Sequence, residues 1–268
     1  LRILVTNDDG IFHPGVEAMV SVLQHFGDVY VVCPDEERSA ISHSITLRNP
    51  IKAVPTNIFT TGISSWLVNG TPADCVKLGV EVLMKEPPDI VFSGINIGPN
   101  LGRDIYYSGT IAGASEAALY GIPAVAVSLA SFDKASVNYQ QIKALFYQIG
   151  EVIIQNKIPS GMLLNVNLPY TSKELCQGVK VVPLDMSVSR YRHVGLNDPN
   201  GNIYYWLKDT YQELDELAKG KDFSLLRKNF VTISPIENKA ITKRRIDYVS
   251  RWFHTFNQKK EDFFHVKH

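Results

Sequence analysis

The chain has 268 residues, 27 Lys and Arg against 27 Asp and Glu, and 45% hydrophobic residues. That is enough to bury a full core in one large domain, or one domain with an appendage, and too apolar for a disordered chain. Zero net charge excludes the long-range attraction that generic nucleic-acid binding uses, and three scattered cysteines (Cys33, Cys75, Cys176) without a CxxC exclude a disulfide scaffold or zinc ribbon.

In chain order, residues 2–6 form a β-branched-rich run that stops at Asn7-Asp8-Asp9-Gly10. A continuous apolar run predicts a strand covered on both faces, as in a parallel sheet. Pro14 opens a helical pattern with Val16, Met19, Val20 and Leu23 on one face and Gly27 closing it. Residues 28–33 (DVYVVC) are the next strand, ended by Pro34, which completes a right-handed β-α-β unit. Thr71 as N-cap, Pro72 at the first helical position and Asp74 near the positive end of the dipole announce a helix to about Met84. Residues 89–93, 123–129 and 163–168 read as further strands, with 179–183 a candidate for one more. Ser108-Gly109-Thr110 precedes a small-residue helix, 111–120, able to pack close to a sheet. Strands alternating with helices predict an α/β, doubly wound fold with helices on both faces.

The first residues run straight into the acidic loop without an apolar leader, and the longest uncharged stretch, 117–132, is broken by Gly121-Ile122-Pro123. A cytoplasmic protein is expected, with no membrane partner and no nucleic-acid polymer. From about Leu184 the texture turns more polar and aromatic, with a charged stretch over 208–221. Residues 239–268 carry eight Lys or Arg against three Asp or Glu, with Ile246, Val249, Trp252, Phe253 and Phe256 at helical spacing and Phe263 and Phe264 beyond. A basic aromatic helix can lie on a membrane surface. Packing on the chain's own core or on a neighbouring subunit is the preferred reading, with Lys243-Arg244-Arg245 as a solvated run.

In an open α/β sheet, ligands gather at the carboxyl ends of the strands. Asp8-Asp9, Arg38-Ser39 and Asn96 to Asn100 all follow expected strands. Two adjacent carboxylates repel unless a cation or hydrogen bonds offset the charge. Asp8, Asp9, Ser39 and Asn96 together offer two carboxylates, a hydroxyl and an amide, an oxygen set suited to a hard divalent ion such as Mg²⁺ or Mn²⁺. Taken singly, Asn-Asp-Asp-Gly is also sound turn chemistry, Ser39 a cap or a solvent-facing hydroxyl, and Asn96 a residue holding its own turn. The run from Ser93 to Asp104, followed by Tyr106-Tyr107-Ser108-Gly109-Thr110, is rich in Gly and Asn and leads into a helix N-terminus, a ready phosphate seat. It matches neither a P-loop nor a dinucleotide GxGxxG, which disfavours NTP hydrolysis and NAD chemistry. Arg103 and Asp104 could equally form a surface pair of little energetic value. A hard metal beside a phosphate seat suggests phosphoryl chemistry.

ILVTNDDGI, PDEERSAISHSIT, NGTPADCV, the block from Ser93 to Ser128 and LNVNLP strongly resemble the SurE family, over residues 3 to about 236. The resemblance implies a Rossmann-like core with a smaller C-terminal portion exchanged between subunits, giving homodimers or homotetramers. We therefore divide the chain into a catalytic core, 1–183, and an oligomerisation extension, 184–268, that packs back on it. It implies metal-dependent hydrolysis of nucleoside 5′- and 3′-monophosphates, with polyphosphate trimming in some members. It places the divalent ion on Asp8, Asp9, Ser39 and Asn96, and the phosphate on Ser108, Gly109 and Thr110 with Asn96 beside it. One of Asp8 and Asp9 would also orient or deprotonate the attacking water. Departures fall late: Asn200 stands in DPNGNIYYW where an arginine is common, and residues 221–235 replace a Thr, an Ala and a Gly of the family pattern.

His13 and His43 lie near the candidate site and could move protons, but a local hydrogen bond in a loop is the ordinary role of such a histidine. Tyr106 or Tyr107 could wall a base, with packing as the plainer alternative. A haloacid-dehalogenase-type phosphatase needs a second Asp two residues after the first, whereas Asp8 and Asp9 adjoin. A response-regulator receiver needs an Asp after its third strand, where this chain has Ser93-Gly94-Ile95-Asn96. A non-catalytic nucleotide- or phosphate-sensing module is the remaining alternative.

Overall fold

The computed structural model describes residues 1–59, 62–132, 137–214, 217–237 and 243–253. The elements run β1 (Arg2–Thr6), α1 (Pro14–Leu23), β2 (Asp28–Pro34), β3 (Ala53–Thr56), β4 (Ser64–Val68), α2 (Pro72–Leu78) and β5 (Ile90–Ile97). There follow α3 (Gly109–Leu119), β6 (Ala124–Ala130), α4 (Tyr139–Gln155), β7 (Met162–Pro169), β8 (Val179–Val181), β9 (Tyr191–Asn197), β10 (Ile203–Asp209), α5 (Asp222–Leu226), β11 (Val231–Glu237) and α6 (Lys243–Ser250). A 3-10 turn over Gly102–Tyr106 precedes α3.

Nine strands form one sheet in the order β3-β4-β2-β1-β5-β6-β7-β11-β8. β1 pairs in parallel with both β2 and β5, β5 with β6, and β6 with β7, whereas β3 is antiparallel to β4. This is the doubly wound, mostly parallel α/β architecture expected from the alternation. Successive side chains of a strand face opposite sides, so β1 feeds two cores. Ile3 and Val5 pack with Val16, Met19, Phe92 and Phe146 on the α1/α4 side. Leu4 packs with Val32, Val76, Val91, Ile111 and Ala114 on the α2/α3 side.

The Thr71 signal is a full capping box: Thr71 Oγ1 accepts from Asp74 N at 3.1 Å, and Asp74 Oδ2 accepts from Thr71 N at 2.9 Å. The α-helix ends at Leu78 and a π-helical turn, Gly79–Leu83, completes the expected span. Helix α4 escaped the sequence reading although Ile142, Leu145, Phe146, Ile149 and Ile153, all buried, trace one helical face. The small antiparallel pair β9–β10 was also unforeseen, and β11 enters the sheet between β7 and β8 despite its late place in the chain.

Internal contacts divide the chain into two units, Leu1–Ile236 and Glu237–His268. In the second, α6 carries the basic run with Ile246 and Val249, and the rings of Tyr248 and Trp252 meet edge-on at 5.4 Å. Phe256, Phe263 and Phe264 lie outside the described residues. Among the described residues no helix is long and apolar enough to cross a membrane.

Candidate active site

Strand order reverses between β1 and β5: the chain leaves β1 toward β2, while β5 lies on the other flank. Loops after two such strands diverge and leave a crevice at their carboxyl ends. The Asn7-Asp8-Asp9-Gly10 loop follows β1, and Asn96 stands in the last turn of β5, so both reach this crevice. A register shift between Ser93 and Asn96 interrupts the β5–β6 ladder. It requires Gly94, whose φ of +135° and 2.2 Å approach of a Cβ to the Val127 carbonyl oxygen admit no side chain.

Asp8 leaves β1 toward α3 and is 4% exposed. The Thr110 hydroxyl donates to its Oδ1 at 2.6 Å. Burial, and after it the neighbouring Asp9 carboxylate, push Asp8 up to about 7. Asp9 turns the other way, its Oδ2 lying 3.8 Å from Nδ1 of His13. His13 caps α1, Nδ1 accepting from Gly15 N at 3.1 Å, so the local hydrogen bond expected of this histidine is what the structure shows.

Ser39 sits on an exposed loop tied to the site through its backbone, where Arg38 N donates to the Asp8 carbonyl at 2.6 Å. The Ser39 hydroxyl donates to Glu37 Oε1 at 2.7 Å, which leaves its lone pairs for another partner. Asn96 donates its amide nitrogen to Gly98 O at 2.7 Å, which fixes the amide and leaves Oδ1 as the atom able to bind a cation. Ser108 caps α3, Oγ accepting from Ile111 N at 3.2 Å. Behind this loop, buried Asn100 is gripped by Asn167, Asn165 and Ser128 through bonds of 2.8–3.0 Å, which anchor the segment after β5 to β6 and β7.

Asp8, Ser39, Asn96 and Ser108 line a single cavity of about 600 Å³, completed by Arg103, Tyr107, Tyr191, His193, Leu207 and neighbouring backbone. Asp9, Gly109 and Thr110 are not among its lining residues. Gly109 and Thr110 instead support Asp8: a Cβ at Gly109 would lie 2.7 Å from Asp8 Cβ and 2.9 Å from Oδ2. Alanine normally favours a helix over glycine by about 1 kcal/mol. The clash outweighs that gain: Gly109→Ala is expected to lose activity by roughly tenfold to a hundredfold and to lower the melting temperature as well, because Asp8 Cβ is fixed by its backbone and must shift together with the carboxylate. Steady-state kinetics beside thermal melts check this, and full activity would show that the contact is slack.

Part of the wall was invisible in the sequence. Arg190 is 5% exposed, and its Nη1 donates to Pro99 O at 2.8 Å and its Nη2 to Asp209 Oδ2 at 2.9 Å, with Nε 3.3 Å from Asp104 Oδ2. Its guanidinium also packs on Tyr191 at 4.8 Å. Burial pushes Asp104 up to about 6 against the pull of Arg190. Arg103 and Asp104 therefore do not form a surface pair: Asp104 is buried against Arg190, and Arg103 donates to the Met186 and Ser187 carbonyls. His193 and Leu207 are cross-strand partners in β9–β10 and reach the cavity together. Of the two tyrosines considered, Tyr107 lines the cavity and Tyr106 does not. Asn200 sits at the tip of the β9–β10 hairpin, its N–H held by Asp198 Oδ1 at 2.9 Å, and is not among the lining residues.

The donor chemistry fits a hard cation. Among the described residues no three His, Cys, Asp or Glu side chains converge as a metal cluster, so any ion here relies on few carboxylates with neutral oxygens beside them. A buried carboxylate raised to about 7 beside a second carboxylate is the electrostatic state that a dication relieves.

A mostly parallel sheet with an oxygen-lined crevice at its switch point defines a Rossmann-like α/β protein. The family model described as Survival protein SurE matches residues 3–191. The chain is 41% identical over 242 residues to the 5′-nucleotidase SurE of Pelotomaculum thermopropionicum, covering 88% of this chain and 89% of that one. It is 40% identical over 264 residues to the 5′-nucleotidase SurE of a Nostoc species, covering 94% and 98%. The crystal structure of the SurE protein from Aquifex aeolicus superposes with a TM-score of 0.79 at 34% identity, covering 93% of this chain and all of that one. The chain belongs to the SurE family.

Proposed function

We propose that the protein is a metal-dependent phosphomonoesterase that releases phosphate from nucleoside 5′- and 3′-monophosphates, with polyphosphate as a further substrate. The carrying observation is that Asp8, Ser39, Asn96 and Ser108, from four separate segments, line one cavity beside the N-terminus of α3. The 5′-nucleotidase names of its relatives point the same way. Asp8, Asp9, Ser39 and Asn96 would hold Mg²⁺ or Mn²⁺. Such an ion, when bound, polarises the phosphoryl oxygen and neutralises the charge that develops during transfer.

The chain's own groups do the rest. The Ser108 hydroxyl and the first N–H groups of α3 face incoming phosphate oxygens with the positive end of a helix dipole. Thr110, whose hydroxyl is engaged by Asp8, keeps that carboxylate in one rotamer and serves the phosphate from behind. Asn96 and Ser39, being neutral, keep the net charge low enough for a dianion to enter. One carboxylate of the Asp8/Asp9 pair orients the attacking water. Tyr107, Tyr191 and Leu207 give the nucleoside apolar surface, and 600 Å³ accommodates a ligand of that size.

A phosphate-release screen over 5′- and 3′-monophosphates and polyphosphate, comparing Mg²⁺ with Mn²⁺, tests this. Activity is expected with the monophosphates and is expected to vanish with EDTA or in Asp9→Asn. Full activity in EDTA would sink the metal reading, and nucleotide binding without release would favour a sensing module.

Residues 184–268 are proposed as the portion that joins copies into dimers or tetramers in the cytoplasm. The ribbon β9–β10 supports this, because Ile203, Tyr204, Tyr205 and Trp206 are each more than half exposed, and a lone two-stranded ribbon is marginal in water. Tyr205→Glu combined with Trp206→Glu is expected to lower the oligomeric state in light scattering. An unchanged mass would remove the ribbon from the interface.

A further inference from the structure

The loop that carries Ser39 has almost no regular structure, yet two of its non-glycine residues are left-handed, Ala40 at φ 56° and Ser42 at φ 57°. Such backbone is strained and persists only where the surroundings dictate it. The anchors are specific. On the near side Arg38 N donates to the Asp8 carbonyl, and Ser42, the second of the strained pair, donates its N–H to Tyr107 O at 3.0 Å. One residue on, His43 Nε2 lies 2.7 Å from Oε2 of Glu116, a 7%-exposed carboxylate two turns into α3. A carboxylate accepts only, so Nε2 carries the hydrogen. The other Glu116 oxygen is 3.5 Å from Lys77 Nζ, which also donates to Tyr120 OH at 2.8 Å and so braces Glu116 against α2. Beyond His43 the chain is held again, Thr71 donating to Ser44 O and Thr46 donating to Asp74 through both N and Oγ1.

We infer that His43 is a positioning residue: its bond to Glu116 locks the Ser39 loop onto α3, the same helix whose start fixes Asp8, and so sets Ser39 relative to Asp8. The inference rests on the cation-site reading above. Without the His43 bond, the Arg38 and Ser42 N–H bonds and the later Ser44 and Thr46 contacts remain, and the backbone between Arg38 and Ser42 relaxes toward ordinary angles. Groups that orient a ligand in this way commonly change metal affinity by ten- to a hundredfold when removed.

The test uses Mn²⁺ alone, titrated into the full-length metal-free protein and read as free Mn²⁺ by electron paramagnetic resonance. His43→Ala is expected to weaken Mn²⁺ about tenfold. His43→Gln, whose amide can still donate to Glu116, is expected to stay within about threefold of the parent. Ser39→Ala weakens Mn²⁺ by itself, and adding His43→Ala to it gives no further loss. A metal-free readout accompanies these: trypsin cleavage after Arg38 accelerates severalfold in His43→Ala and not in His43→Gln, with melting temperature nearly constant because His43 is one-third exposed. Unchanged Mn²⁺ affinity in His43→Ala while Ser39→Ala weakens it overturns the positioning role alone. Full additivity of the two substitutions overturns it as well. No Mn²⁺ binding by the parent protein overturns the cation site itself.

Discussion

Replacing Asp8 by asparagine is expected to abolish phosphate release, by at least about a thousandfold, while making the metal-free protein harder to melt. Both effects have one cause. Asp8 is buried beside Asp9, and its pKa is raised from 3.8 to about 7. A folded state that holds this proton more tightly than the unfolded state is favoured by acid: the group contributes nothing to the pH dependence below about pH 4, where both states are protonated, then turns progressively against folding as pH rises from about 4 to 7 and levels off above. Above that pH the cost is on the order of 4 kcal/mol. Asparagine carries no charge there and can still accept from Thr110. Metal-free parent protein should therefore lose melting temperature between pH 5 and pH 8, whereas the variant should change far less. Added Mn²⁺ should raise the melting temperature of the parent at pH 8 and leave that of the variant in place. A variant with near-parental turnover, or with the same Mn²⁺-induced rise, would contradict the assignment of Asp8. This is the trade between stability and activity that a strained site imposes.

Asp222→Ala is expected to be the most damaging change away from the cavity. Asp222 is fully buried, and its two oxygens accept from Gly102 N at 2.7 Å and from Asp185 N at 2.8 Å, with Phe223 N sharing Oδ1. It thereby joins α5 to the 3-10 turn before α3 and to the segment after β8. Alanine leaves the Gly102 and Asp185 N–H groups buried without an acceptor, at about 1–3 kcal/mol each. A loss of about 3–5 kcal/mol follows, or roughly 10 °C in melting temperature for a domain of this size. The 3-10 turn carries Asp104, the partner of Arg190, so turnover should fall along with stability. Urea unfolding measures the first effect and kinetics well below the transition measure the second. A shift under 1 kcal/mol would mean that water replaces the carboxylate.

What the sequence disclosed, and what it withheld, divides along the range of the interactions. β1, its acidic loop and the start of α1 were legible because an apolar run and Pro14 are local signals, and so was the Thr71 cap; the end of α1 falls at Leu23 with Gln24 as its cap, not at Gly27. The alternation of strands and helices carried the fold class, and the places of Asp8, Asp9, Ser39 and Asn96 after expected strands marked the donor residues, with the family motifs agreeing. The direction of each side chain was not legible: Asp8 and Asp9 lie in the bend after β1, and only the folded loop turns one to Thr110 and the other to His13. Arg190 gave no signal because its partners Pro99, Asp104 and Asp209 lie 91, 86 and 19 positions away, and only the folded chain assembles them. The exposed, doubly apolar ribbon β9–β10 breaks the alternation that marks a half-buried strand, which hid it from pattern reading.

The cavity draws its walls from two sources with different freedoms. Its acidic end grows out of the central sheet, where β1 and β5 are packed on both faces and tolerate little drift. His193 and Leu207 arrive from a ribbon outside that sheet. Exchanges along the ribbon can thus reshape which nucleoside fits while the bond-breaking apparatus stays untouched, a division of labour that lets preference diverge among descendants without rebuilding the catalyst.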